Sequence, residues 1–366
     1  MILIPDHIFT IWGVDKLIRD FCKINQFDYF VYSLKDLEIS LKSKKFIFDK
    51  QYFNSKISLF IVPISIKINQ DLYLLFNKNI LSFGTASTGM DHVDFKFLEE
   101  SQIPFFGAEG ENKDSVVEYT LSVLPHLIEI KRLLQKDIQI GIVGYGRIGS
   151  LLGQVLKDLG FSYISVDPFV FPESYHKDLE SLKECDIITF HTPLTKEDPY
   201  PTLEMIGIEF LKSLKKTHVL INSSRGKIFS KEAYEYAIKN FLCAFDVFIS
   251  EPPSKAMLDS KRLIIATPHT AGYNWISRFR SVFRVLEKFA IFFSYQFDLE
   301  IQNYFPLNFE VQIFDSVLEE THRFKKDPSY FSIRNRYPTR SGIKHQKYNP
   351  HWNDFYKILY EYFQNF

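Results

Sequence analysis

Short apolar runs alternate along this chain with stretches in which apolar residues recur at helical spacing. In the first hundred residues Ile57–Ile64 predicts a buried strand and Ile80–Phe83 another, closed by Gly84. This is α/β texture without a nucleotide-binding loop. From Asn112 to Gln135 the apolar positions keep helical spacing, and Pro125 is the one proline or glycine. That predicts a long helix kinked at Pro125. The alternation then becomes regular. Ile138–Val143 predicts a strand, Leu151, Leu152, Val155, Leu156 and Leu159 mark a helix face, and Tyr163–Val166 predicts the next strand. Further strands are expected at Asp186–Phe190, His218–Ile221, Cys243–Val247 and Leu263–Ala266. Near-continuously apolar strands separated by helices indicate a parallel doubly wound sheet covered on both faces. One long helix is expected from Trp275 to about Phe297. The stretch from about Glu300 is aromatic and basic, with two further helical patterns.

Composition adds bounds to this picture. The 366 residues exceed one ordinary domain and suit two, with a small third piece. A hydrophobic share of 46%, a charged share of 24% and a formal net charge of zero describe a globular chain without a general basic surface for nucleic acid. Phe and Tyr are abundant along the whole chain, which marks a composition bias and not a binding surface. Cys22, Cys185 and Cys243 are far apart and odd in number, so neither a disulfide framework nor a zinc site is expected, and a reducing compartment is. No signal peptide is read at Met1–Pro5, and apolar runs such as Phe289–Phe293 are far shorter than the ~20 residues that span a bilayer. A cytoplasmic protein is expected, with no membrane partner.

Gly144, Gly146 and Gly149 form a G-x-G-x-x-G run, with Arg147 and Ile148 inside it, directly between a predicted strand and a predicted helix. Alone the run is weak, because glycines are common in turns. In this context it meets a physical requirement. The first glycine allows the tight turn, the second lets backbone approach a pyrophosphate, and the third lets helix pack on strand. The helix start then offers free N–H groups to the phosphates. Asp167 ends the next predicted strand, eighteen residues after Gly149, where an acid receives the adenosine ribose and disfavours a 2′-phosphate. NAD is the expected cofactor.

Three segments at predicted strand ends carry polar residues: Asn222–Gly226 with Arg225, Asp246–Pro252 with Glu251, and Thr267–Tyr273 with His269. Singly, each has a plain structural explanation: a surface ion pair, a turn cap, a structural histidine. Jointly, in this order after a G-x-G-x-x-G loop, they form a site. A neutral imidazole can take a hydroxyl proton, a carboxylate beside it fixes its tautomer, and a guanidinium grips a carboxylate in a bidentate fork. No metal is needed for such chemistry.

On these residues the chain resembles the D-isomer-specific 2-hydroxyacid dehydrogenase family, marked by N-x-x-R-G, D-V-x-x-x-E-P and T-P-H-x-A-G. The resemblance runs from about Phe83 to Gly272 and includes Gly84–Asp94 and Val116–Tyr119. It implies that Arg225 binds the substrate carboxylate, that His269 is the acid/base, and that Glu251 pairs with His269. It also implies a Rossmann-type doubly wound NAD domain, a flavodoxin-like substrate domain and a small C-terminal dimerisation domain. The expected bounds are 1–106 with 272–299 for the substrate domain, 107–271 for the NAD domain and 300–366 for dimerisation.

Within the family the likeness is greatest to a branch acting on a small phosphorylated 2-hydroxy acid. It is carried by Gly84–Asp94, Ile187–Leu194 and Pro268–Tyr273. This implies that Ser87 and Tyr273 touch substrate, that Thr192, Ser223, Ser224, Asp246 and Gly272 lie near NAD, and that the protein is a homodimer. The chain departs from the branch where Pro63 and Ile64 replace an Arg-Ser pair. Arg334, Arg336 or Arg340 is a candidate for the missing charge, although each alone reads more readily as part of a solvated basic face. The Arg225–Glu251 interval is a few residues shorter than in the branch, with the shortening placed around Lys239–Phe241. Two alternatives stay open: a sibling enzyme acting on 3-phosphoglycerate, glycerate or a similar acid, and an NAD-sensing binding protein like the family's corepressor branch.

Overall fold

The computed structural model describes residues 1–11, 13–45, 47, 55–131, 137–170, 175–176, 178–197, 199–273, 275–304 and 317–326. The chain divides into two compact units, 1–112 with 275–310, and 113–274 with 311–366. In the first unit the strands are β1 (Ile2–Pro5), β2 (Tyr29–Tyr32), β3 (Leu59–Ile61), β4 (Phe83–Thr85) and β5 (Phe105–Gly107). They form a parallel five-stranded sheet in the order β2-β1-β3-β4-β5, the flavodoxin-like arrangement. In the second unit the strands are β6 (Gln139–Val143), β7 (Ser162–Val166), β8 (Tyr175–His176), β9 (Ile187–Phe190), β10 (Val219–Asn222), β11 (Leu242–Phe245) and β12 (Leu263–Ala266). Their order is β12-β11-β10-β9-β6-β7-β8, again all parallel.

Strand periodicity explains why both sheets bury two faces. Successive side chains point to opposite sides. Ile187, Val219 and Ala244 accordingly enter one core layer, while their neighbours Ile188, Leu220, Cys243 and Phe245 enter the other. In the five-stranded unit Ile2, Ile4, Leu59 and Ile61 pack with Val282, Val285 and Phe289 of the helix Trp275–Phe293. Leu3, Phe60 and Phe83 face the opposite layer.

The structure moves some expected boundaries. The strand expected at Ile80–Phe83 is Phe83–Thr85, and Ile80 makes only an isolated bridge to Ile57. Gly84 is therefore inside the strand. A Cβ there would stand 2.8 Å from Val285 Cγ1, so glycine is what lets the helix lie against β4. The run Ile57–Ile64 supplies only Leu59–Ile61 as strand, since Pro63 has no N–H to continue the ladder. The long helix covers Lys113–Lys131 with Pro125 inside it, and the later one ends at Phe293. The helix Val317–Lys326 packs on edge strand β12. There the Ala266 N–H donates to Thr321 Oγ1 at 3.2 Å, Lys325 Nζ donates to the Leu263 carbonyl, and Phe324 is fully buried. The free edge of the sheet is thereby covered. Arg334, Arg336 and Arg340 lie outside the described residues. Among the described residues no helix is long and apolar enough to cross a membrane.

Candidate active site

The cofactor loop follows from glycine geometry. Gly144 has φ of +88°, and a Cβ there would meet the His191 carbonyl and Thr192 Cγ2 at 2.8 Å. Gly149 sits so close to the preceding turn that a Cβ would lie 2.0 Å from the Gly144 carbonyl oxygen, while a Cβ on Gly146 meets nothing within 4 Å. The three positions thus do different work: turn, open approach, and helix contact. Gly146 caps the helix Arg147–Asp158 without a side-chain acceptor, which leaves the helix-start N–H groups and exposed Arg147 for an anion; Ile148 packs against the core beneath. Asp167, at the end of β7, accepts from Tyr145 N at 2.7 Å and Phe169 N at 2.8 Å, one bond per oxygen. Each oxygen keeps acceptor capacity for a ribose hydroxyl.

Further residues fit a dinucleotide. Thr192 Oγ1 and Ser223 Oγ are buried atoms with no hydrogen-bond partner. Most buried polar atoms have a partner, which makes these two hydroxyls candidates to meet a cofactor. Ser224 turns its hydroxyl and N–H to Asn222 Oδ1, at 2.9 and 3.0 Å, and so holds the loop after β10 in shape. His191 is buried, bonds Thr189 Oγ1 through Nε2 at 2.9 Å, and is pushed down to about 3 by desolvation, so it stays neutral. Gly272 lies in the loop after β12, half-buried.

The three polar segments stand at the ends of adjacent strands β10, β11 and β12, where open α/β sheets place ligands. Arg225 is half-buried and donates from one guanidinium nitrogen to the Ser224 carbonyl at 2.9 Å. The next residue, Gly226, would place a Cβ 2.0 Å from the Phe248 carbonyl oxygen. Only glycine allows the arginine loop to rest on the loop that carries Glu251. His269 Nδ1 meets Glu251 Oε2 at 3.0 Å, and Glu251 Oε1 accepts from Phe248 N at 3.2 Å. Since the carboxylate accepts, Nδ1 carries the proton and Nε2 is the ring nitrogen left for chemistry. His269 itself has φ of +59°, a left-handed backbone uncommon outside glycine.

Asp246 is fully buried. Its oxygens accept from Thr267 Oγ1, Thr270 N and Ala271 N at 2.6–2.8 Å. Sequence spacing gave no hint of this arrangement, nor of Tyr119, whose hydroxyl lies 2.8 Å from Thr267 Oγ1 across 148 positions. Tyr273 is half-buried in the loop after β12, and its N–H donates to the Thr270 carbonyl at 2.8 Å. Ser87 follows β4 in the five-stranded unit and is half-buried there. The thiols are all free and buried; burial pushes Cys22 and Cys185 up to about 12, so they are poor nucleophiles.

A parallel doubly wound sheet with this loop and this Arg–Glu–His set suits a dinucleotide-binding domain with an acid/base group at its strand ends. Residues 128–271 of the chain match the D-isomer specific 2-hydroxyacid dehydrogenase NAD binding domain. Its similar proteins include erythronate-4-phosphate dehydrogenases. That of Photorhabdus laumondii is 37% identical over 243 residues, which cover 64% of this chain and 63% of the relative. That of Teredinibacter turnerae is 33% identical over 233 residues, 62% of this chain and 61% of the relative. The chain thus spans somewhat under two thirds of the length of these relatives. Among solved structures, NAD-bound 3-phosphoglycerate dehydrogenase of Entamoeba histolytica shares the fold with a TM-score of 0.64 at 20% identity, covering 80% of this chain and 95% of that one. D-lactate dehydrogenase of Aquifex aeolicus does so with 0.63 at 22% identity, covering 80% and 96%.

Proposed function

We propose that this chain oxidises 4-phospho-D-erythronate at C2, with NAD, to (R)-3-hydroxy-2-oxo-4-phosphooxybutanoate on the route to pyridoxal 5′-phosphate. The observation that carries the reading is the His269–Glu251 pair at 3.0 Å, one strand away from the Arg225 loop and in the domain that holds the dinucleotide loop. The name of the relatives supplies the substrate. Bound NAD supplies the hydride acceptor. Arg225 holds the substrate carboxylate and so fixes C2. His269 Nε2 receives the C2 hydroxyl proton, and Glu251 favours the resulting imidazolium while keeping the ring in one tautomer. Ser87 and Tyr273 are the proposed substrate contacts. In this proposal the enzyme works as a cytoplasmic homodimer.

One observation favours a second reading, a sibling dehydrogenase with another acid as substrate. Pro63 is buried and Ile64 half-buried, and neither offers a cation to a phosphate. NADH formation with 4-phospho-D-erythronate, 3-phosphoglycerate and D-glycerate separates the two. The proposal expects kcat/KM for phosphoerythronate to lead by about a hundredfold or more, the scale set by a site built to hydrogen-bond its substrate. A lead for either comparator would transfer the mechanism to that acid and remove the vitamin assignment.

A further inference from the structure

The loop that carries the acid/base histidine is wrapped around a buried carboxylate. Asp246 Oδ1 accepts from Thr267 Oγ1 at 2.6 Å and Thr270 N at 2.7 Å, and Oδ2 accepts from Ala271 N at 2.8 Å. The Asp246 main-chain oxygen accepts from His269 N at 2.8 Å. Every donor on the loop from Thr267 to Ala271 that these bonds involve therefore converges on one residue. The threonine's single hydroxyl proton is committed to Asp246, so in the contact at 2.8 Å the Tyr119 hydroxyl is the donor. Tyr119 sits on the helix Lys113–Lys131 in the Val116–Tyr119 run that the proposed chemistry leaves unused. Tyr119, Asp246, Thr267, Thr270 and Ala271 are all at most 2% exposed, so water cannot replace a missing partner.

This geometry bears on His269. Its backbone is left-handed, with φ of +59°, a conformation that costs a non-glycine residue free energy and persists only when its surroundings over-determine it. The amides of His269, Thr270 and Ala271 are fixed by Asp246, and that turn directs the imidazole at Glu251. We propose that Tyr119, Thr267 and Asp246 form a positioning relay that holds the His269 loop in its reactive conformation. The inference rests on His269 as the acid/base group, and it adds Tyr119 and Thr267 as residues that act through its loop.

The test uses the full chain with Thr267→Val, Thr267→Ser and Tyr119→Phe. Three quantities are read: hydrogen exchange of the peptide containing Thr270 and Ala271, NAD affinity by fluorescence titration, and kcat and KM with 4-phospho-D-erythronate. Thr267→Val keeps the shape and removes the hydroxyl that meets both Tyr119 and Asp246. It should speed exchange at the two amides and lower kcat by about tenfold or more, the scale of a lost hydrogen bond to a charged group. KM and NAD affinity should stay within roughly twofold. Thr267→Ser should restore wild-type behaviour, and Tyr119→Phe should show the same pattern at roughly threefold, the scale of one neutral hydrogen bond. A role in stability alone would lower the melting temperature without moving kcat, and that result overturns the proposal. So does a loss of NAD affinity large enough to account for the loss of rate. If Thr267→Val does not fold, wild-type exchange and kcat in Tyr119→Phe would overturn it. A wild-type chain silent on phosphoerythronate defeats the substrate reading alone, since exchange and NAD affinity still decide the relay.

Discussion

The two units use the same parallel architecture but send their polar side chains to different work. In the five-stranded unit the buried hydroxyls stitch strands together: Tyr32 donates to the Ile61 carbonyl, Ser82 to Ser58 and Thr85 to Val62, at 2.6–2.8 Å. In the seven-stranded unit polar side chains gather beyond the strand ends, where Asn222 shapes the Arg225 loop, Asp246 the His269 loop, and Glu251 the imidazole itself. The difference teaches that one scaffold can be closed upon itself or left chemically open at its carboxyl edge. In the proposed reaction the open edge carries the cofactor and proton chemistry.

Two substitutions sharpen this contrast inside the open edge. Gly146→Ala adds a Cβ in empty space, and Gly149→Ala adds one 2.0 Å from a carbonyl oxygen. Both should weaken NAD binding, by roughly tenfold to a hundredfold, the scale of a crowded contact. Only Gly149→Ala should also lower stability, by about 1–3 kcal/mol, the usual cost of overpacking. Calorimetric unfolding with NAD titration checks this, and equal stability loss in both variants would break the division of labour among the glycines.

A smaller effect belongs to the closed unit. His92 bonds Thr85 Oγ1 through Nε2 at 3.2 Å, and its Nδ1 is buried without a partner. Thr85 gives its proton to Val62, so His92 Nε2 donates and Nδ1 is left bare. Burial pushes this histidine from 6.5 down to about 4. The unfolded chain therefore takes up a proton first as pH falls. Stability is full above pH 6.5, is lost between 6.5 and about 4, and changes no further below that on this account. The slope is at most ~1.4 kcal/mol per pH unit for each such group. His191 in the other unit, held at about 3, adds a similar limb. His92→Gln should flatten the fall in melting temperature below pH 6.5 relative to the natural chain; superimposable acid profiles would contradict the assignment.

The sequence showed most of the open edge and little of the closed unit, for physical reasons. Leu263–Ala266 was legible as a strand because an apolar run between turn residues has few other uses. The glycine loop was legible because each glycine answers a steric demand that no other residue meets. By contrast β1, β2 and β5 are three- or four-residue strands whose pattern is lost in a chain rich in Phe, Tyr and Ile everywhere. The two residues of β8 give no pattern at all. Arg225, Glu251 and His269 could be named because strand ends in this architecture face ligands. The Tyr119–Thr267 contact could not, because it is made by tertiary packing between distant segments. Substrate choice was the least legible part, since Pro63 and Ile64 replace a pattern without indicating what answers the phosphate.

In the proposed reaction His269, poised by Glu251, takes the proton while NAD is held independently by the glycine loop. The most direct measurement is NADH formation from 4-phospho-D-erythronate by the natural chain and by His269→Ala, with NAD affinity determined for both. His269→Ala should lose about 10²- to 10⁴-fold in rate, the range for removing a general base, with NAD affinity retained. An undiminished rate in the variant, with substrate and NAD both bound, would contradict it.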